Sequence, residues 1–140
     1  MATRKADRMY YQAEAAAGVE LLAACPSLED ARRFVAHYTR RKWWLKLVPN
    51  EKIEIRYVQR VEFSGTYKVR GGFIIKLGLN RLHEGILIHE LAHVVSWNAA
   101  LRGRDHGKMF AEAHLALMGQ MTSPEHVKRF RAELERRGII

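Results

Sequence analysis

The sequence predicts a single α+β domain in which helices pack against a small, mostly antiparallel sheet. Three observations lead there. The chain has 140 residues, 48% of them apolar, which is the size and composition of one globular domain with a core of its own. Its middle third alternates polar and apolar residues in short runs broken by turn residues, as half-buried strands do. On either side, apolar residues recur every three or four positions, as on the buried face of a helix.

Taken in order, Lys5 to Ala24 is rich in Ala, Glu and Leu and is expected to be a helix ended by Cys25-Pro26. Ser27 is a helix cap followed by Glu29 and Asp30, and the second helix is expected to reach about Lys42. It would bury Leu28, Ala31, Phe34, Val35 and Tyr38, with His37 a surface or satisfied core residue. After the turn at Pro49-Asn50, strands are expected at Lys52–Val58, Ser64–Val69 and Phe73–Leu77, with Gly71-Gly72 turning between the last two. Phe73, Ile75 and Leu77 share one face. Asn80 is expected to cap a helix from about Arg81 to Asn98, on which Trp97 packs near the chemistry and His83 points elsewhere. A loop from Arg102 leads into a helix closed by Gly119. Thr122-Ser123-Pro124-Glu125 opens the last helix, which buries Val127, Phe130 and Leu134 and leaves Lys128, Arg129, Arg131, Arg136 and Arg137 in water. Residues 1–48 thus form N-terminal helices, 52–119 the sheet and chemical core, and 122–140 a C-terminal helix.

Charge and cysteine content narrow the function. The net charge is +9, and from Ala31 to Arg60 nine basic residues face two acids, so polyanions, nucleic acid first, are the expected partners of that stretch. Within it, Arg40, Arg41, Lys42 and Lys46 surround Trp43 and Trp44. Two readings stay open: cations on phosphates with indoles stacked on the bases of a single strand, or a Trp capping the core while the cations stay in water. Cys25 alone excludes an internal disulfide or a Cys-based zinc ribbon and agrees with a reducing cytoplasm. Leu22-Ala23-Ala24-Cys25 imitates a lipoprotein processing box, but Glu14 and Glu20 interrupt the apolar run that export would need. No stretch approaches the ~20 apolar residues of a membrane span.

The chemistry concentrates in Ile88-His89-Glu90-Leu91-Ala92-His93. On a helix His89 and His93 fall one turn apart on one face, where two imidazoles can bind one Zn2+, and Glu90 stands beside the first ligand as a proton acceptor. Twelve residues separate His93 from His106, enough for a helix end and a turn to bring a third imidazole back. Glu112 is its rival, and on a common helix His106 and Glu112 lie about 240° apart, so one ion would take one or the other.

Gly72–Asn80, then His89-Glu90-Leu91-Ala92-His93, then Asp105-His106-Gly107-Lys108-Met109-Phe110, together resemble the SprT-like zinc metalloproteases: a strand, a His-Glu-x-x-His helix and a later His-Gly-x-x-aromatic. The likeness covers about Ser64 to Gly119, and small bacterial and phage metallohydrolases share the layout with two leading helices. It implies a zincin-like fold, Zn2+ on His89, His93 and His106, and Glu90 as general base in hydrolysis of a protein or peptide substrate. It also implies an edge strand, placed at Phe73–Leu77, that aligns an extended peptide, and an oxyanion donor for which His114, Tyr67 and Arg104 are candidates. For His114 a supporting or core role is the alternative. Ser96 and Ala99 stand where metzincins carry a glycine and a histidine, so that class is excluded. The zinc-ribbon cysteines of some SprT-like proteins are absent, so action on DNA-bound proteins would depend on the basic stretch. Two other functions remain: a zinc hydrolase for a different amide, and a non-catalytic nucleic-acid-binding protein with a structural zinc.

Overall fold

The computed structural model describes residues 2–19, 22–25, 27–59, 64–78, 82–97 and 106–140. Helix α1 is Ala2–Ala16, shorter than the expected Lys5–Ala24. Gly18, at φ 73°, takes the left-handed conformation that ends a helix and that glycine adopts without strain. Residues 22–25 then run beside 82–84, with Cys25 N donating to Leu82 O (2.8 Å) and Glu84 N to Ala23 O (2.9 Å).

Ser27 caps α2 (Leu28–Thr39), its hydroxyl accepting from Asp30 N at 3.1 Å. Ala31 and Val35 are buried and His37 is exposed. The helix does not continue to Lys42: a separate α3 spans Lys42–Leu47. Phase explains the break. Trp44 lies nine residues after Val35, about 900° or half a turn out of register, so one continuous helix would point it away from the core. Restarting at Lys42 places Trp44 inside, 1% exposed.

Strands β1 (Lys52–Tyr57), β2 (Ser64–Val69) and β3 (Gly72–Leu77) form one sheet in the order β1-β3-β2. The expected mostly antiparallel sheet is instead mixed, since β3 pairs antiparallel with β2 and parallel with β1. Composition accounts for the order. Gly72-Phe-Ile-Ile-Lys-Leu77, with four apolar side chains in six residues, takes the centre rather than the edge expected for Phe73–Leu77, while β1, with Lys52, Glu54 and Arg56, and the more polar β2, with Ser64, Thr66 and Lys68, take the edges. The β2–β3 turn uses Gly71 at φ 79°, and a Cβ on Gly72 would lie 2.1 Å from Lys52 O, so glycine is required where β1 meets β3. Ile55, Ile75 and Thr66 align across the sheet on the face covered by helices. Glu54, Ile74 and Tyr67 align on the other face.

Helix α4 (Glu84–Val95) starts later than expected, and its cap is His83, whose Nδ1 accepts from Ile86 N. Asn80 lies outside the described residues. Every residue of α4 from Gly85 to Val94 is buried, so this is the central helix, packed between β2 and α5 (Lys108–Met121). A Cβ on Gly85 would lie 2.3 Å from Val19 O, which is why the chain leaving α1 can cross its first turn. Helix α5 runs through Gly119 to Met121 rather than ending there. Helix α6 (Pro124–Arg136), capped by Ser123, buries Phe130 and Leu134 against α1 and α5. Among the described residues no helix is long and apolar enough to cross a membrane.

Candidate metal centre

Helix α4 presents His89 and His93 on one face, and the start of α5 brings His106 against them. His106 Nε2 lies 3.2 Å from His89 Nε2 and 3.1 Å from His93 Nε2. Nitrogens about 2.1 Å from a tetrahedral ion sit about 3.4 Å apart, so the triangle is close to the size of a three-imidazole site. All three side chains are buried, and Phe110, one turn into α5, closes the floor with its ring stacked on His93 at 4.2 Å.

The far nitrogens decide what the near ones can do. His89 Nδ1 bonds Glu14 Oε2 at 2.9 Å, and His106 Nδ1 bonds Asp7 Oδ1 at 2.6 Å. A carboxylate accepts, so each Nδ1 carries the proton and each Nε2 turns a lone pair inward. Lone pairs converging at about 3 Å repel unless a cation lies among them, and carboxylates behind ligating imidazoles are the usual support of such a site. The residues therefore fit a metal ion. Burial presses His89 to stay neutral, yet the adjacent Glu14 charge leaves its proton affinity above the usual imidazole value. Burial, then the field of His89, holds His93 far below that value and lowers His106, the latter against Asp7.

Glu90 is 2% exposed and turned toward β2. Thr66 Oγ1 lies 2.7 Å from its Oε1 and 3.1 Å from its backbone oxygen, giving its proton to that pair. Burial raises the Glu90 carboxyl above the usual range, against the pull of His89 and of hydrogen bonds from Thr66 and Ser64.

Sequence reasoning placed the first helix but missed its part in the site. Asp7, Tyr10 and Glu14 form a stripe at i, i+3, i+7, and each bonds one buried histidine: His106, His114 and His89. The signal in the sequence was the spacing of Asp7, Tyr10, Tyr11 and Glu14 at i, i+3, i+4 and i+7, which puts two carboxylates and two tyrosines on one face of a helix. Tyr11 stacks on His89 (5.9 Å between centroids, 19° between planes), and Asp7, Arg8, Tyr11, Gln12 and Ala15 line an open pocket of about 430 Å³.

The other candidates disperse. His114 is fully buried behind the three histidines, its Nδ1 bonded to Tyr10 Oη at 2.7 Å, and Glu14, His89 and His114 form a second group able to hold an ion. Burial holds the His114 imidazole well below its usual value. Tyr67 is on the open face of the sheet beneath Lys76, away from Thr66 and Glu90, because adjacent strand residues point to opposite faces. Glu112 is exposed on α5 near Lys108, not beside the histidines. Arg104 lies outside the described residues. Trp97 packs edge-on against Phe73. Trp44 is in the core and Trp43 packs by Tyr38, while Arg40, Arg41, Lys42 and Lys46 are exposed. Compared with models of known protein families, with curated protein sequences and with solved structures, the chain matches none.

Proposed function

We propose that the protein is a zinc-dependent metallopeptidase of SprT-like, zincin-like type that hydrolyses peptide bonds of a protein or peptide substrate, including proteins associated with DNA. The observation that carries the reading is the convergence of three Nε2 atoms, two contacts of which measure 3.1 and 3.2 Å, on the helix that also bears buried Glu90. His89, His93 and His106 would hold Zn2+, which when bound polarises a carbonyl and makes water acidic enough to attack near neutral pH. Glu90 takes the proton of the attacking water and returns it to the leaving amine. Its raised proton affinity suits a group that must first accept and then donate, and Thr66 fixes its carboxylate for both tasks. Because β3 is paired on both sides, the edge suited to align an extended peptide is β2, which carries Thr66 next to Glu90. A cytoplasmic location agrees with the single free cysteine.

Glu90→Gln tests the reading, using an unfolded casein substrate with and without single-stranded DNA and elemental analysis of the same preparations. Hydrolysis abolished with zinc retained supports it. Equal hydrolysis by both proteins, or none by the zinc-loaded wild type, defeats it. One observation favours a second reading: none of the three histidines is more than 6% exposed, which suits a closed, structural ion in a protein that binds nucleic acid through Arg40, Arg41, Lys42 and Lys46. A hydrolase for a non-peptide amide would use the same residues.

A further inference from the structure

Helix α1 meets the histidine layer through three side chains on one stripe. Asp7 Oδ1 is 2.6 Å from His106 Nδ1, Tyr10 Oη 2.7 Å from His114 Nδ1, and Glu14 Oε2 2.9 Å from His89 Nδ1. Two of these three histidines belong to the inward-pointing triangle, and the third lies behind it, its ring 5.5 Å from that of His89. Glu14 is 4% exposed and Tyr10 wholly buried, so their two contacts form in a dry layer where hydrogen bonds are strongly selective, while Asp7 makes the third at the rim. Elsewhere α1 leans chiefly on α6.

We propose that α1 is a working part of the metal centre: Asp7 and Glu14 are positioning residues whose carboxylates lock His106 and His89 with Nδ1–H outward and Nε2 free, so that ion binding and docking of α1 are one coupled event. The proposal rests on the metal-site reading above and extends it to regulation. The coupling works both ways. An ion on Nε2 makes the opposite N–H a better donor and tightens α1, and a docked α1 makes Nε2 a better ligand. Anything that lifts α1 therefore loosens the ion, and the helix that half covers the site through Tyr11 also sets its occupancy.

The test titrates metal-stripped full-length protein with zinc against a chromophoric chelator for wild type, Asp7→Asn, Glu14→Gln and, as a control on the exposed side of α1, Lys5→Ala. Proton spectra of the zinc-loaded forms follow the downfield imidazole N–H signals. Expected is about one zinc per chain, bound about 10–100-fold more weakly by each carboxylate variant and unchanged in Lys5→Ala. Each carboxylate variant should also move one N–H signal, a change that a packing role alone would not produce. Should Glu14→Gln disturb the buried side of α1, Asp7→Asn at the rim, 31% exposed, carries the same test. Wild-type affinity in both variants overturns the proposal, as do unmoved signals. A wild type that takes up no zinc overturns it together with the metallopeptidase reading, whereas coupled zinc binding without hydrolysis supports it and sinks only the peptidase.

Discussion

Two regions of the molecule are rich in ionisable side chains and treat them in opposite ways. In the layer under α1, Glu14, His89, Glu90, His93, His106 and His114 are all buried, and each touches another polar side chain, Thr66 for Glu90 and Tyr10 for His114. Along α2 and α3, Arg33, Arg40, Arg41, Lys42 and Lys46 stand in water, with contacts such as Arg33 to Glu29 at 3.7 Å and Arg41 to His37 at 2.8 Å. The difference teaches where position matters. A buried polar group without its partner is expensive, so each member of the layer is tied to one place, whereas solvent screens the surface cations and lets them exchange neighbours.

The largest expected effect is the sharpest test of that contrast. His106→Ala removes the vertex shared by both short Nε2 contacts and should abolish stoichiometric metal in elemental analysis, while Glu112→Ala, out in solvent on the same helix, should leave it intact. Loss of metal in Glu112→Ala would move the centre away from the buried layer.

Next comes packing inside the basic stretch itself. Trp44→Ala should lower stability by about 3–5 kcal/mol in urea melts, because a fully buried indole leaves a cavity. A change below about 1 kcal/mol would mean that the indole is available for stacking after all.

Acid sharpens the comparison further. His114 is held neutral in the fold but gains a proton in the unfolded chain below about pH 6.5, so the folded state binds fewer protons and its stability falls as pH drops through that value. His93 and His106 are shifted downward like His114, and His89 and Glu90 upward in the opposite sense, so the His114 effect is isolated by difference. Relative to His114→Gln, metal-free wild type should lose up to about 1.4 kcal/mol per pH unit below about pH 6.5 and nothing above pH 7.5. Parallel stability profiles for the two proteins would refute a buried neutral His114.

The smallest stability change should come from the surface. Replacing Arg40, Arg41, Lys42 and Lys46 by Ala should each shift stability by no more than about 0.5 kcal/mol. The combined variant also tests the nucleic-acid reading: the salt slope of binding to a fluorescent single-stranded oligonucleotide should flatten by up to about 3, from about 0.7 per phosphate contact. An unchanged slope would remove this face from that role.

Much of the secondary structure was legible because it depends on neighbours in sequence. Ser27 and Ser123 cap helices where they stand, the alternating runs are strands, and His89 and His93 share a face because α-helical geometry places residues four apart together. The misreadings have local causes as well. Gly18 ends α1 early, and the phase of Trp44 splits the second helix.

What the amino-acid order determined by itself was therefore periodic: which segments are helix or strand, which faces are apolar, where two imidazoles pair and where positive charge gathers. Only the tertiary structure decided that β3 sits between β1 and β2, that Tyr67 faces away, and that Asp7 and Glu14 stand behind the histidines from 75 to 99 residues away in sequence; His106, left open against Glu112 by periodicity and chosen by resemblance, is the one that reaches His89 and His93. The physical reason is range. Propensity and periodicity act within a turn or a strand, whereas those pairings are selected by burial, which favours a desolvated donor finding an acceptor wherever the packed chain brings one.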